Sequence, residues 1–93
     1  MDSVYIIYSK RLDKYYVGES SDIDSRLLQH NNGFFKNSYT AQVNDWEAFL
    51  IIPCDSRSQS RKIELHIKKM KSRKYLENLK KYPEMVSKLL EKY

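Results

Sequence analysis

The sequence predicts an α+β fold, a small three-stranded antiparallel sheet flanked by helices, and three observations carry that prediction. The chain has 93 residues, room for one domain and too few for two. Three short runs are rich in β-branched and aromatic residues, the first two separated only by the polar segment Lys10 to Lys14. Every segment after the third run repeats apolar residues at helical spacing. The resulting order of strand, strand, helix, strand and three helices is that of an antiparallel sheet with helices packed on it.

Each element has a local reason. Val4 to Ser9 and Tyr15 to Gly18 read as a β-hairpin. Alternation along strands places Tyr5 and Ile7 on one face of the first and Tyr16 and Gly18 on one face of the second, so Tyr5 and Tyr16 are candidate neighbours across the sheet. Ser20, Ser21 and Asp22 offer N-caps, Ile23 and Leu27 a buried side, and Asn32-Gly33 a stop, which sets a helix over about residues 22–31. Phe34 to Asp45 lacks periodicity and reads as an irregular loop, a candidate for movement and for substrate contact through Tyr39. Trp46 to Ile52 is a strand that Pro53 ends. Ser56 or Ser58 caps a second helix with Ile63, Ile67 and Met70 on its apolar side. Leu76 and Leu79 mark a third helix. Pro83 opens a fourth, whose face of Val86, Leu89, Leu90 and Tyr93 either closes the core or pairs two subunits. The expectation is a single domain over 1–93 with a C-terminal helical extension from about residue 72, existing as a monomer or weak homodimer.

Composition excludes several classes. With 41% hydrophobic and 13% aromatic residues and only two Gly and two Pro, the chain is neither disordered nor low-complexity. The apolar runs Val4 to Ile7 and Ala48 to Pro53 are far too short to cross a membrane, and Asp2 and Ser3 do not open a secretory signal. One cysteine, Cys54, allows no disulfide framework and reads as a small buried hydrophobe. The chain is expected to be soluble and cytoplasmic, with no membrane partner.

The formal charge of +5 is unevenly spread. Up to Trp46 there are 5 basic and 6 acidic residues; after it, 12 and 6. Arg61 to Lys81 holds nine basic residues against only Glu64 and Glu77. A basic stripe on helices is the electrostatic footprint of a phosphate backbone, and a solvated lysine-rich face is its plainer explanation. His30, Cys54 and His66 have no short-spaced partners and make a poor zinc set, and His66 is expected to face solvent.

Five polar residues stand apart from the core pattern: Tyr5, Tyr16, Arg26, His30 and Glu64. Arg26 and His30, four apart on one helix, share a face with Asp22, a combination that suits a phosphate, although Asp22 and Arg26 are also spaced for an ordinary ion pair. Glu64 is an isolated acid in a basic neighbourhood, at the edge of the stripe of Ile63 and Ile67. It is spaced to pair with Lys68, and a partly desolvated carboxylate there also suits Mg²⁺, which is commonly held by one or two carboxylates plus water and substrate phosphate.

These residues resemble those of the GIY-YIG nucleases over nearly the whole chain. Ser3-Val4-Tyr5 resembles the family's first motif and Tyr16-Val17-Gly18 its second, with Ser3 and Val17 replacing a glycine and an isoleucine; Asp22, Arg26 and His30 follow at similar spacing. The segment of Arg57, Glu64, Ile67 and Lys68 resembles the one that supplies the family's metal-binding glutamate, and Asn78 stands where many members carry a supporting asparagine. The resemblance implies Mg²⁺- or Mn²⁺-dependent cleavage of a DNA phosphodiester, duplex or branched, structure-directed, in repair or recombination. Glu64 would hold the metal, Arg26 would act on the phosphate, and Tyr5, Tyr16 or His30 would manage the water, with Gly18 and Asn78 in support. Arg57, Arg61, Lys68, Lys69, Lys71, Arg73 and Lys74 are the candidate nucleic-acid contacts. The alternative is a nucleic-acid-binding module or adaptor that does not cut.

Overall fold

The computed structural model describes residues 1–36 and 38–93; Asn37, in the expected irregular loop, lies outside them. Strands β1 (Ser3–Ser9), β2 (Lys14–Ser20) and β3 (Glu47–Pro53) form one antiparallel sheet in the order β2-β1-β3. The helices are α1 (Ile23–Asn31), α2 (Arg57–Met70), α3 (Arg73–Lys81) and α4 (Pro83–Lys92).

The unbroken apolar run Val4 to Ile7 has a structural reason: β1 is the central strand and is buried on both faces. Val4 and Ile6 join Val17, Ile52, Ile63, Ile67, Leu79 and Leu89 in the core beneath α2, α3 and α4. Tyr5 and Ile7 point the other way and meet Trp46 beneath α1, with Ile23 and Leu27 packed on them. Each such aliphatic side chain, fully buried, stabilises the fold by about 1.5–3 kcal/mol. The register shift opposite Ile6 and Ile7 leaves Phe49 without a ladder partner, and both Phe49 and Leu50 then pack on the helix-side core.

Caps set the helix starts. Asp22, Ser56 and Ser72 accept backbone N–H bonds from Ser25, Gln59 and Tyr75, so Ser56, not Ser58, begins α2. Because the Asp22 carboxylate serves as this cap, Arg26 makes no ion pair with it. Three other expectations change. Met70 is exposed and does not extend the apolar side of α2. His66 is half-buried, not simply solvent-facing: its Nδ1 lies 2.8 Å from the Tyr93 hydroxyl and ties α2 to the end of α4. Among the described residues of the irregular loop there is a single 3-10 turn, Tyr39–Gln42, and it is pinned. Asn31 bonds both the N–H and the C=O of Trp46, and the Trp46 indole N–H donates to the Thr40 carbonyl.

The apolar face of α4 closes the helix-side core, with Val86, Leu90 and Tyr93 packed beside buried Leu89. Among the described residues no helix is long and apolar enough to cross a membrane. Cys54 is buried, and that burial pushes its thiol up, as for an inert structural cysteine.

Candidate active site

The site is built around one crossing. Tyr5 on β1 pairs with Gly18 on the edge strand β2, and the Tyr5 ring lies over Gly18 toward the open edge of the sheet. A Cβ at Gly18 would fall 3.0 Å from Tyr5 Cε1 and closer still to the end of the ring, so only glycine leaves the phenol room. Tyr16, two residues earlier on the same face, brings its ring centroid to 6.5 Å from that of Tyr5.

From α1, His30 reaches the same hydroxyl: Tyr5 Oη and His30 Nε2 are 2.9 Å apart. His30 is only 3% exposed, not the surface histidine its helix position suggests. Its Nδ1 lies 2.7 Å from Thr40 Oγ1, itself 3.0 Å from Ser38 Oγ. Ser38, Thr40, His30 and Tyr5 thus form one hydrogen-bonded chain running outward from the pinned loop to the sheet edge. Thr40 is fully buried, and among the described residues no buried side-chain nitrogen or oxygen lacks a partner. Neither Thr40 nor Ser38 stands out in the sequence, because both sit in an aperiodic loop far from any motif.

The electrostatics separate the three candidate proton carriers. Burial, then the neighbouring Tyr16, push the Tyr5 phenol well above its ordinary value, against a smaller opposing pull from Arg26. Burial, then the Arg26 charge, hold His30 below the ordinary histidine range, so it is a neutral imidazole at pH 7. Both shifts hold the resting proton on the Tyr5 oxygen, and the unprotonated His30 Nε2 is placed to accept that phenol's hydrogen bond, which leaves the oxygen's lone pairs for a water.

Arg26 sits one turn before His30, with its guanidinium carbon 5.5 Å from the centroid of Phe35. A polar hollow of about 180 Å³ opens beside it, bounded also by Arg57 and Glu19, which form an ion pair at 3.9 Å. From the other side of the sheet, α2 brings Glu64 close enough for its charge to act on the Tyr5 hydroxyl. The Glu64 side chain is 17% exposed and its ion-pair partner is Lys68, at 3.7 Å. Lys68 in turn reaches round the edge of the sheet to 5.9 Å from the Tyr16 ring centroid.

A divalent metal fits this arrangement in one form. Among the described residues no three His, Cys, Asp or Glu side chains cluster to form an all-protein cage. Glu64, a mostly buried carboxylate at this edge of the sheet, offers hard oxygen ligands, which suits Mg²⁺ or Mn²⁺ completing its shell with water and phosphate.

The basic residues divide. Arg57, Arg61, Glu64 and Lys68 follow one another on a single face of α2, and Lys71, in a left-handed cap conformation with φ 46°, continues toward α3. Arg73 is held by the Asp13 carboxylate at 2.7 Å and stacks over Tyr15. Lys69 lies instead with His66 and Tyr93, away from this cluster. Lys74 is exposed on α3. Asn78, half-buried on α3, makes no hydrogen bond to Tyr5, Tyr16, Arg26, His30 or Glu64 among the described residues.

Three elements meet at the edge of a three-stranded sheet, with tyrosines from a hairpin, an Arg and a His one turn apart, and a helical glutamate. Residues 1–78 match the GIY-YIG catalytic domain, and the chain belongs to that family of nucleases. No curated protein and no solved structure matches the chain.

Proposed function

We propose that the protein is a divalent-metal-dependent DNA endonuclease, structure-directed and acting in repair or recombination, built as one domain in which the helices beyond about residue 72 extend the nuclease core. The observation that carries this reading is the Tyr5–His30 hydrogen bond above Gly18, with Arg26 one turn before His30 on α1 and the Glu64–Lys68 pair on α2 reaching the same sheet edge at Tyr16.

In this reading Tyr5 donates to His30 Nε2, and His30 Nδ1–H donates to Thr40. The Tyr5 oxygen then orients the attacking water, taking a proton from it as its own passes to His30, so no free phenolate forms. Tyr16 screens the other side of the water. Arg26, with a planar fork of N–H donors, holds the phosphate oxygens as negative charge accumulates on them. Glu64 would hold Mg²⁺ or Mn²⁺, whose chemistry when bound is to neutralise the phosphate and the leaving oxygen. Arg57, Arg61 and Lys68, on the face of Glu64, bind the backbone on either side of the cut.

The test is cleavage of labelled linear, flapped and four-way-branched DNAs with Mg²⁺, Mn²⁺ or EDTA. Cutting by the wild type that needs metal and falls at least about 100-fold in folded Arg26→Ala and Glu64→Gln supports the reading. Salt-sensitive DNA binding with no cutting under any metal would replace it with a non-catalytic binding module.

A further inference from the structure

A second concavity adjoins the candidate active site and shares Tyr16 with it. It is a groove of about 360 Å³ between the edge of β2 and the junction of α2 and α3. Its floor is apolar, formed by Val17, Ile67 and Leu76. Its wall is Tyr15, overlaid by the Arg73 guanidinium at 5.2 Å from the ring centroid, while Tyr16, whose ring packs on the opposite face of the sheet, borders the groove at the strand edge. Lys14, Lys68 and Lys71 complete the rim, and no carboxylate lines it.

Two features distinguish this groove from a solvated lysine patch. Lys14 and Lys71 have no carboxylate within ion-pairing reach among the described residues, so the rim is electropositive above an apolar floor. The backbone is also set for it. Among the described residues the only non-glycine positions with positive φ are Asp13 and Lys71: one anchors Arg73, and the other holds a lysine where helices usually end on glycine. An apolar floor, a stacked Tyr15–Arg73 pair beside it and cations at the mouth are complementary to a planar base carrying a phosphate. The volume, at the lower end for ligand sites, suits a single nucleotide and excludes a duplex.

We propose that this groove receives an unpaired nucleotide of the DNA strand next to the cut, its base on the apolar floor against the Arg73–Tyr15 pair and its phosphate at Lys14 and Lys71. The proposal rests on the reading of DNA as the substrate. It gives a physical origin for a preference for flapped or branched DNA, since only DNA with an unpaired strand at the junction fills the slot.

The experiment uses the whole chain in EDTA and a DNA duplex with a single-stranded flap, 2-aminopurine standing at the first unpaired position. Binding is expected to quench the fluorophore, and the flapped duplex to bind roughly tenfold more tightly than a continuous duplex of equal length. Tyr15→Leu, and Leu76→Trp, which fills the slot, are expected to bring that ratio near one. Thermal melts identify which variants are folded, and Lys14→Glu, at an exposed strand end, serves if neither is. Binding without quench, equal affinity for the two DNAs, or a ratio that folded variants leave intact overturns the groove alone. Displacement of the flap by an acidic peptide that binds more tightly overturns it in favour of a protein partner. Absence of salt-sensitive binding to any DNA overturns the groove and the parent reading together.

Discussion

His30 Nδ1 lies 2.7 Å from Thr40 Oγ1, and that bond joins the imidazole of a helix to the one fully buried threonine of an otherwise irregular loop. The other ring nitrogen faces Tyr5, so whatever Thr40 does to one side of the ring fixes the proton on the other. The loop is in turn held by the Trp46 indole N–H on the Thr40 carbonyl. Loop, helix and strand therefore set one proton arrangement together.

Thr40→Val keeps the shape and removes the hydroxyl, leaving a buried ring nitrogen without its partner. It is expected to cost about 1–3 kcal/mol of stability, read from urea unfolding. Cleavage at pH 7 is expected to fall at least about tenfold with little change in KM, because the relay and not substrate binding is affected. Thr40→Ser, which restores the hydroxyl, is expected to recover most of the rate. Equal losses in Val and Ser variants would mean that packing, not the hydrogen bond, is what the site needs.

Within the Tyr5–His30 pair the two groups act at opposite pH limits. The folded state holds His30 below its ordinary value of about 6.5, so its contribution to stability is full above that pH and is lost as pH falls below it. Tyr5 is held above its ordinary value of about 10, so its contribution is full below that pH and is lost as pH rises past it. Unfolding midpoints in urea are expected to fall between pH 7 and 5 in the wild type, with a shallower fall in His30→Gln. An unchanged slope in that variant would assign the acid limit to other groups.

Much of the fold was legible because its causes are local. Three short apolar strands, Asp22 and Ser56 as caps, and Pro83 at the head of a helix each act within a few residues. The first face of the site was legible too, since strand alternation brings Tyr5 toward Tyr16 and helical spacing pairs Arg26 with His30. What escaped depends on contacts between distant segments. Asp22 spent its carboxylate on the cap, which no i,i+4 count reveals. His66 finds Tyr93 only once α2 and α4 pack together. Thr40 becomes a functional candidate only when the loop folds back beneath α1, and the loop's Asn and Ser residues disguise a hydrogen-bonded staple as flexibility.

Gly18→Ala tests the crossing at the centre of the site. The added methyl would overlap the Tyr5 ring and force the phenol off His30. A loss of about 1–3 kcal/mol is expected, with cleavage abolished. Because both the Tyr5 oxygen and its ring carbon Cζ crowd that methyl, Tyr5→Leu, which removes both, should recover part of that stability in the same chain while restoring no activity. Strict additivity of the two changes in a double-mutant cycle would show that the methyl is accommodated by the strand and not by Tyr5.

Helix α4 lies wholly beyond the family match at residues 1–78, so its share in the fold is open to direct test. Leu89 is buried against the helix-side core, Gln59 Nε2 donates to the Leu90 carbonyl at 3.0 Å, and Tyr93 meets His66. Leu89→Ala is expected to cost about 2–5 kcal/mol, and Tyr93→Phe only about 1 kcal/mol. Deleting residues 83–93 would uncover Ile63, Ile67 and Leu79 at once, a loss comparable with the roughly 5–15 kcal/mol that holds a typical domain together. The shortened chain is therefore expected to lose its cooperative thermal transition and, with it, DNA cleavage. A cooperative melt retained within a few degrees of the full chain would mean that α4 is an appendage and that the first three helices close the core without it.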